Sequence, residues 1–139
     1  MVDATGLRRA LAAFLGDAQY RKFVQQGVRR GRLRFWQEQA WAGFVAAHPA
    51  LAVGADELAA ALRVCHLHGD ELRPDTAEVV HGCLDWARSY VEARARLFPH
   101  AAEDVVPTEG RPFVGDRIGV WYCPSCRAAR RAWEARRQR

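Results

Sequence analysis

The chain has 139 residues, half of them apolar, a tenth aromatic and 27% charged. Such a composition can bury a core, which excludes wholesale disorder. No apolar run approaches the roughly 18 residues of a membrane span. The formal net charge is +5, and Lys22 is the only lysine. With the abundant alanine, this arginine preference has the look of GC-rich bacterial coding, so arginine in place of lysine carries no recognition signal. Charge is unevenly spread. Residues 1–64 carry 9 basic and 5 acidic groups, residues 65–122 carry 6 and 10, and residues 123–139 carry 6 and 1. The start, Met1-Val2-Asp3, lacks a basic stretch leading into an apolar one, so no secretory signal and a cytoplasmic location are expected.

Residues 1–64 read as a helical unit. Thr5 or Asp3 can cap a helix over Leu7–Leu15, with Leu7, Leu11, Phe14 and Leu15 on one face and Gly16 as its stop. Asp17 can cap a second, striped by Tyr20, Phe23 and Val24 and weakened by Gly27 and Gly31. A third spans Leu33–Ala47, because Leu33, Trp36, Ala40, Trp41, Phe44 and Val45 recur every three or four positions; His48-Pro49 ends it. Asp56 can cap a fourth over Glu57–Val64.

The character of the chain changes at Cys65. Residues 65–139 are richer in turns, with strands expected at Glu78–His81, Val105–Thr108 and Arg117–Tyr122. A helix capped by Asp85 runs from Trp86 to Leu97, with Trp86, Tyr90, Ala93 and Leu97 inward, and Pro99 stops it. A polar helix, Arg127–Arg139, closes the chain along an apolar line of Ala129, Ala132 and Trp133. The expected class is α+β: a helical unit, 1–64, and an α+β unit, 65–139, with an inserted helix, packed together as one compact body.

Two ligand pairs stand out, Cys65-His66-Leu67-His68 and Cys123-Pro124-Ser125-Cys126. Each sets two soft or borderline donors three positions apart, the spacing of a tight knuckle whose side chains face one ion. Gly69 suits the left-handed residue that closes such a turn, and Pro124 suits the second turn. One structural Zn²⁺ held by Cys65, His68, Cys123 and Cys126 follows from this donor set. His66, His81 and His100 are the fallback ligands should His68 not serve. A thioredoxin-like use of the C-x-x-C pair would need a βαβ pattern that the chain lacks. Cys83, two residues after His81, invites a nucleophile reading, since i and i+2 share a strand face, but no third group is visible.

A strand, then Cys123-Pro124-Ser125-Cys126, then a helix resembles the second half of treble-clef and zinc-ribbon-like folds, and Cys65–Gly69 looks like the first knuckle. The run Cys65–Glu71, with Phe98-Pro99-His100 and Trp121–Arg127, is similar to small uncharacterised bacterial proteins with a C-x-x-H-G…F-P…Y-C-P-x-C-R pattern. That resemblance covers residues 65–133 and implies a bacterial cytoplasmic zinc protein, with no established activity.

Two functional classes follow. The first is a non-enzymatic interaction module that binds another protein or itself. The alternative is a nucleic-acid-binding protein that presents Arg127, Arg130, Arg131 and Arg137 on the last helix, with Arg136 and Arg139 beside them and Arg29, Arg30, Arg32 and Arg34 as a second cluster. An enzyme is not expected, because each chemical group has a structural explanation.

Overall fold

The computed structural model describes residues 2–138; Met1 and Arg139, the last of the terminal arginines, lie outside the described residues. The protein is α+β, with six α-helices and one three-stranded sheet among the described residues. No helix among them is long and apolar enough to cross a membrane. The chain divides into two compact units, Met1–His66 and Leu67–Arg139.

The first unit is helical: α1 Ala4–Leu15, α2 Asp17–Gln26, α3 Phe35–Ala47 and α4 Ala55–Ala61, with a 3₁₀ turn at Pro49–Leu51. Of the two cap candidates for α1 it is Asp3 that serves, accepting from the Gly6 amide at 3.0 Å, so the helix starts three residues before Leu7. Gly16, at φ 82°, ends α1 and begins α2, which places Asp17 inside the first turn of α2 rather than at its cap. Leu33 stays outside α3, and α4 starts at Ala55 and stops short of Val64.

The core of this unit is built from Leu7, Leu11, Phe23, Phe44, Leu58 and Leu62. Phe44 is its aromatic centre: Trp41 stacks on it at 5.3 Å and Phe14 meets it edge-on at 5.8 Å. One fully buried polar side chain crosses this core. Gln37 donates through Nε2 to the carbonyls of Phe23 (3.1 Å) and Gly27 (3.0 Å), and its Oε1 accepts from the Arg34 amide at 2.8 Å. It thereby joins the end of α2 to the start of α3 and satisfies groups that helix termini leave over.

The second unit contains β1 Arg73–Val80, α5 Arg88–Leu97, β2 Val106–Pro107, β3 Arg117–Tyr122 and α6 Pro124–Arg137. The sheet order is β2-β1-β3. β1 pairs antiparallel with β3, Arg73 opposite Tyr122 and Glu78 opposite Arg117, and pairs parallel with β2. β1 begins five residues before the expected strand, because Arg73–Ala77 find partners along β3 that no local pattern announces. α5 begins at Arg88, with Ala87 rather than Asp85 at its cap, and Trp86 packs on Tyr90 (5.7 Å) from outside the helix. α6 starts three residues before Arg127, at Pro124, a residue suited to a first helical position.

Few large residues are buried here. Ala77, Val79, Ala93, Phe98, Ala101, Cys123 and Cys126 are the buried apolar residues described for this unit. Phe98, outside the stripe expected for α5, is its aromatic centre and packs against Tyr90 (6.0 Å) and Trp133 (5.7 Å). A polar hub stands beside it. Asp104 accepts from the Tyr90 hydroxyl and from Arg94 (3.3 Å), and Arg130 Nη1 lies 3.0 Å from its other oxygen as an ion pair. Burial first, then the bond to Asp104, pushes the Tyr90 phenol up to about 12.

Two expectations follow. Gln37→Leu fills the same space but takes this partner from the Gly27 carbonyl and the Arg34 amide and one of two bonds from the Phe23 carbonyl, which keeps the Gly27 amide, so denaturant unfolding should show a loss of about 1–3 kcal/mol at unchanged m-value. A raised phenol pKa favours the neutral form in the folded state. The contribution of Tyr90 is therefore complete below pH about 10. It is lost as pH rises through about 12. In an absorbance titration the wave near pH 12 should be lost in Tyr90→Phe, while Tyr20, whose phenol burial also raises, should still ionise above the ordinary tyrosine range.

Candidate metal centre

The first knuckle lies between α4 and β1. The chain leaves α4 through Leu62, buries Val64 and Cys65, and turns at Gly69 with φ 79°. The second follows β3 directly. Cys123 is the residue before α6, Pro124 opens the helix, and Cys126 falls in its first turn. The register Arg73↔Tyr122 brings the residue before Cys123 next to the start of β1, only five positions after His68. Antiparallel pairing is thus what brings ligands 55 residues apart together.

Cys65, His68, Cys123 and Cys126 form a group whose ligand atoms all lie within 4.8 Å of one another, and it can hold a metal ion. His68 Nδ1 is 3.7 Å from Cys123 Sγ and 3.3 Å from Cys126 Sγ. The three cysteines are buried, and the histidine is the exposed member. This is the set expected from the spacing. The imidazole in it is that of His68; His66, His81 and His100 are not in the group. His81 instead has Nε2 3.3 Å from the Gly115 carbonyl.

Backbone amides support the sulfurs. The Cys126 amide donates to Cys123 Sγ at 3.4 Å, and the His100 amide to Cys126 Sγ at 3.4 Å. The His100 carbonyl in turn accepts from the Cys123 amide at 2.8 Å. N–H groups aimed at sulfur favour its anionic form, the form that binds metal. The segment Phe98-Pro99-His100 thus serves the site through its main chain, anchored by buried Phe98.

Asp70 is the site residue that sequence reasoning missed. Its Oδ2 accepts from the Ser125 hydroxyl (2.5 Å) and amide (3.3 Å) and lies 3.6 Å from Cys123 Sγ. The Ser125 hydroxyl bond, above all, holds the Asp70 carboxyl below the usual carboxylate range, against a smaller opposing effect of burial. Asp70 follows the knuckle glycine and Ser125 lies inside the second knuckle, so the two turns are clasped by a direct side-chain bond as well as by ligands. An acid next to Gly69 was the available signal.

The arginines of α6 part company. Arg127 pairs with Asp75 at 2.9 Å, donates to the Ala101 carbonyl at 2.8 Å and lies 3.6 Å over the Tyr122 ring. The Thr76 amide first, then Arg127, holds the Asp75 carboxyl below its usual range. Arg130 is taken by Asp104 and by Glu134 (2.9 Å). Arg131 and Arg137 are exposed, the latter 4.7 Å over Trp133. Cys83 is exposed, and β1 ends at Val80, so the shared strand face that would bring it to His81 does not form.

Ser125→Ala removes the hydroxyl bond to Asp70 and leaves all four ligands in place. Stability should fall by about 1 kcal/mol, read by denaturant unfolding, with the metal content of the purified protein unchanged.

No protein-family model, curated protein or solved structure matches this chain.

Proposed function

We infer that Cys65, His68, Cys123 and Cys126 bind one structural Zn²⁺ and that the protein is a non-enzymatic interaction module of treble-clef-like build. The observation that carries this reading is the convergence of three sulfurs and one imidazole nitrogen within 4.8 Å. Zinc bonds of about 2.3 Å to sulfur and 2.0 Å to nitrogen make the sulfur–nitrogen edge of a tetrahedron about 3.5 Å. The distances from His68 Nδ1 to Cys123 and Cys126, 3.7 and 3.3 Å, straddle that value. Three thiolates and an imidazole are a soft set that suits zinc over magnesium or calcium. When bound, the ion supplies folding energy, on the order of 10 kcal/mol for structural zinc. A unit whose buried apolar residues are mostly alanine and cysteine has a use for it.

The order of knuckle, antiparallel β1–β3 pair and helix supports the treble-clef-like reading, with α5 and β2 as the insertion. Four protein ligands fill a tetrahedron and leave no position for substrate, which supports a structural over a catalytic role. A protein partner is favoured over nucleic acid at this unit. Leu84, Trp86, Val91 and Trp121 are exposed, whereas two of the four α6 arginines that would meet phosphates are held by the protein's own carboxylates. A reducing bacterial cytoplasm, where thiols stay reduced, fits cysteines that are not joined in disulfides among the described residues.

Elemental analysis of purified protein should give close to one zinc per chain. Exchange for Co²⁺ should give the intense visible bands and the thiolate charge transfer of a tetrahedral sulfur-rich site. Cys126→Ser should lower metal content and melting temperature together; full retention of both would refute the assignment. Light scattering over a concentration series reads whether the partner is a second copy.

A further inference from the structure

A separate feature lies in the first unit, and it does not depend on the metal. Between α2 and α3 the chain makes a two-residue turn. Arg29 and Arg32 pair through both main-chain bonds, at 2.9 and 3.0 Å, and Arg30 and Gly31 between them have φ of 53° and 73°. Two successive positive φ values define the hairpin turn that favours Asn-Gly. Gly31 meets that requirement. Arg30 does not, because a side chain with a Cβ is disfavoured there. The turn therefore carries a guanidinium at its tip against its own conformational preference. Strained residues of this kind concentrate where a side chain has work outside the fold.

The surroundings are unusual for this protein. Arg29, Arg30, Arg32 and Arg34 are all exposed, and none takes part in an ion pair among the described residues. This contrasts with Arg127 and Arg130, which the fold consumes. No acidic residue occurs between Asp17 and Glu38. Phe35, the first residue of α3, is 76% exposed, more than any other phenylalanine or tryptophan described. Its neighbour Trp36 is tied down by Gln26 (2.7 Å) and Phe23, so the exposure of Phe35 is not a general loosening of the helix start. A cavity of about 340 Å³ opens beside the turn, walled by Leu33, Trp41 and Val53, with Arg32 and Glu38 as its polar members.

Unpaired cations bring phosphates, an exposed ring offers a face to a base, and an adjoining apolar cavity with a donor and an acceptor has room for one base. A duplex hides its base faces and could use only the cations. We propose that the Arg29–Arg34 turn with Phe35 is a binding site for single-stranded nucleic acid. The arginines hold the backbone, and Phe35 stacks on an unstacked base.

The test uses the full purified chain and a labelled 12-nucleotide mixed-sequence single strand, followed by anisotropy over a salt series. Binding at low salt should weaken with a log–log slope of about −2 to −3, as three or four phosphate contacts require. Arg30→Gly relieves the turn, so it should melt no lower than wild type, yet its slope should shrink by about 0.7. Phe35→Ala should weaken the single strand roughly tenfold and leave a duplex of equal length unaffected. Absence of binding at low salt would overturn the proposal. So would full affinity in an Arg29→Ala/Arg30→Gly double variant, or loss confined to Arg131 and Arg137 variants. Equal displacement by a base-free polyanion, with Phe35→Ala indifferent, would mark the turn as a general anion patch and overturn it as well.

Discussion

Three sulfurs and an imidazole nitrogen drawn within 4.8 Å of one another are the constraint around which the two knuckles are arranged. The buried sulfurs also receive amide hydrogens from Cys126 and His100, an arrangement suited to anions. Burial and backbone direction thus meet at a single point, and β1, β3 and α6 all start or end near it.

The second unit, Leu67–Arg139, has few large buried side chains. Its buried residues are small, and among the described residues its one large buried ring is Phe98. Polar contacts take up part of the task. Asp104 gathers Tyr90, Arg94 and Arg130, and Asp70 reaches across to Ser125. Arginine here is a building material: Arg127 spans Asp75, the Ala101 carbonyl and the Tyr122 face at once. A planar, always-charged group with several donors can do this where lysine cannot.

The first unit is held differently. Large apolar and aromatic side chains from four helices meet around Phe44, and a single buried amide, that of Gln37, fixes how α2 leads into α3. The basic turn between the two helices is held through its main chain, and its arginine side chains enter no ion pair among the described residues. The same residue type thus does opposite things in the two units, and a net charge of +5 conceals the difference.

Much of this was legible in the sequence. Ligand spacing, with Gly69 and Pro124 at the turns, points to Cys65, His68, Cys123 and Cys126, because knuckle geometry is local. Helical periodicity places α1 to α4 to within a few residues for the same reason. What the sequence could not decide depends on partners far along the chain. β1 extends back to Arg73 only because β3 lies opposite. Asp70 becomes part of the site only because Ser125 is folded against it. Arg127 and Arg130 leave the exposed face only because Asp75 and Asp104 arrive beside them. Spacing fixes what neighbouring residues can do together. Which distant charge neutralises which is set by the tertiary pairing of strands, and no local pattern carries that information.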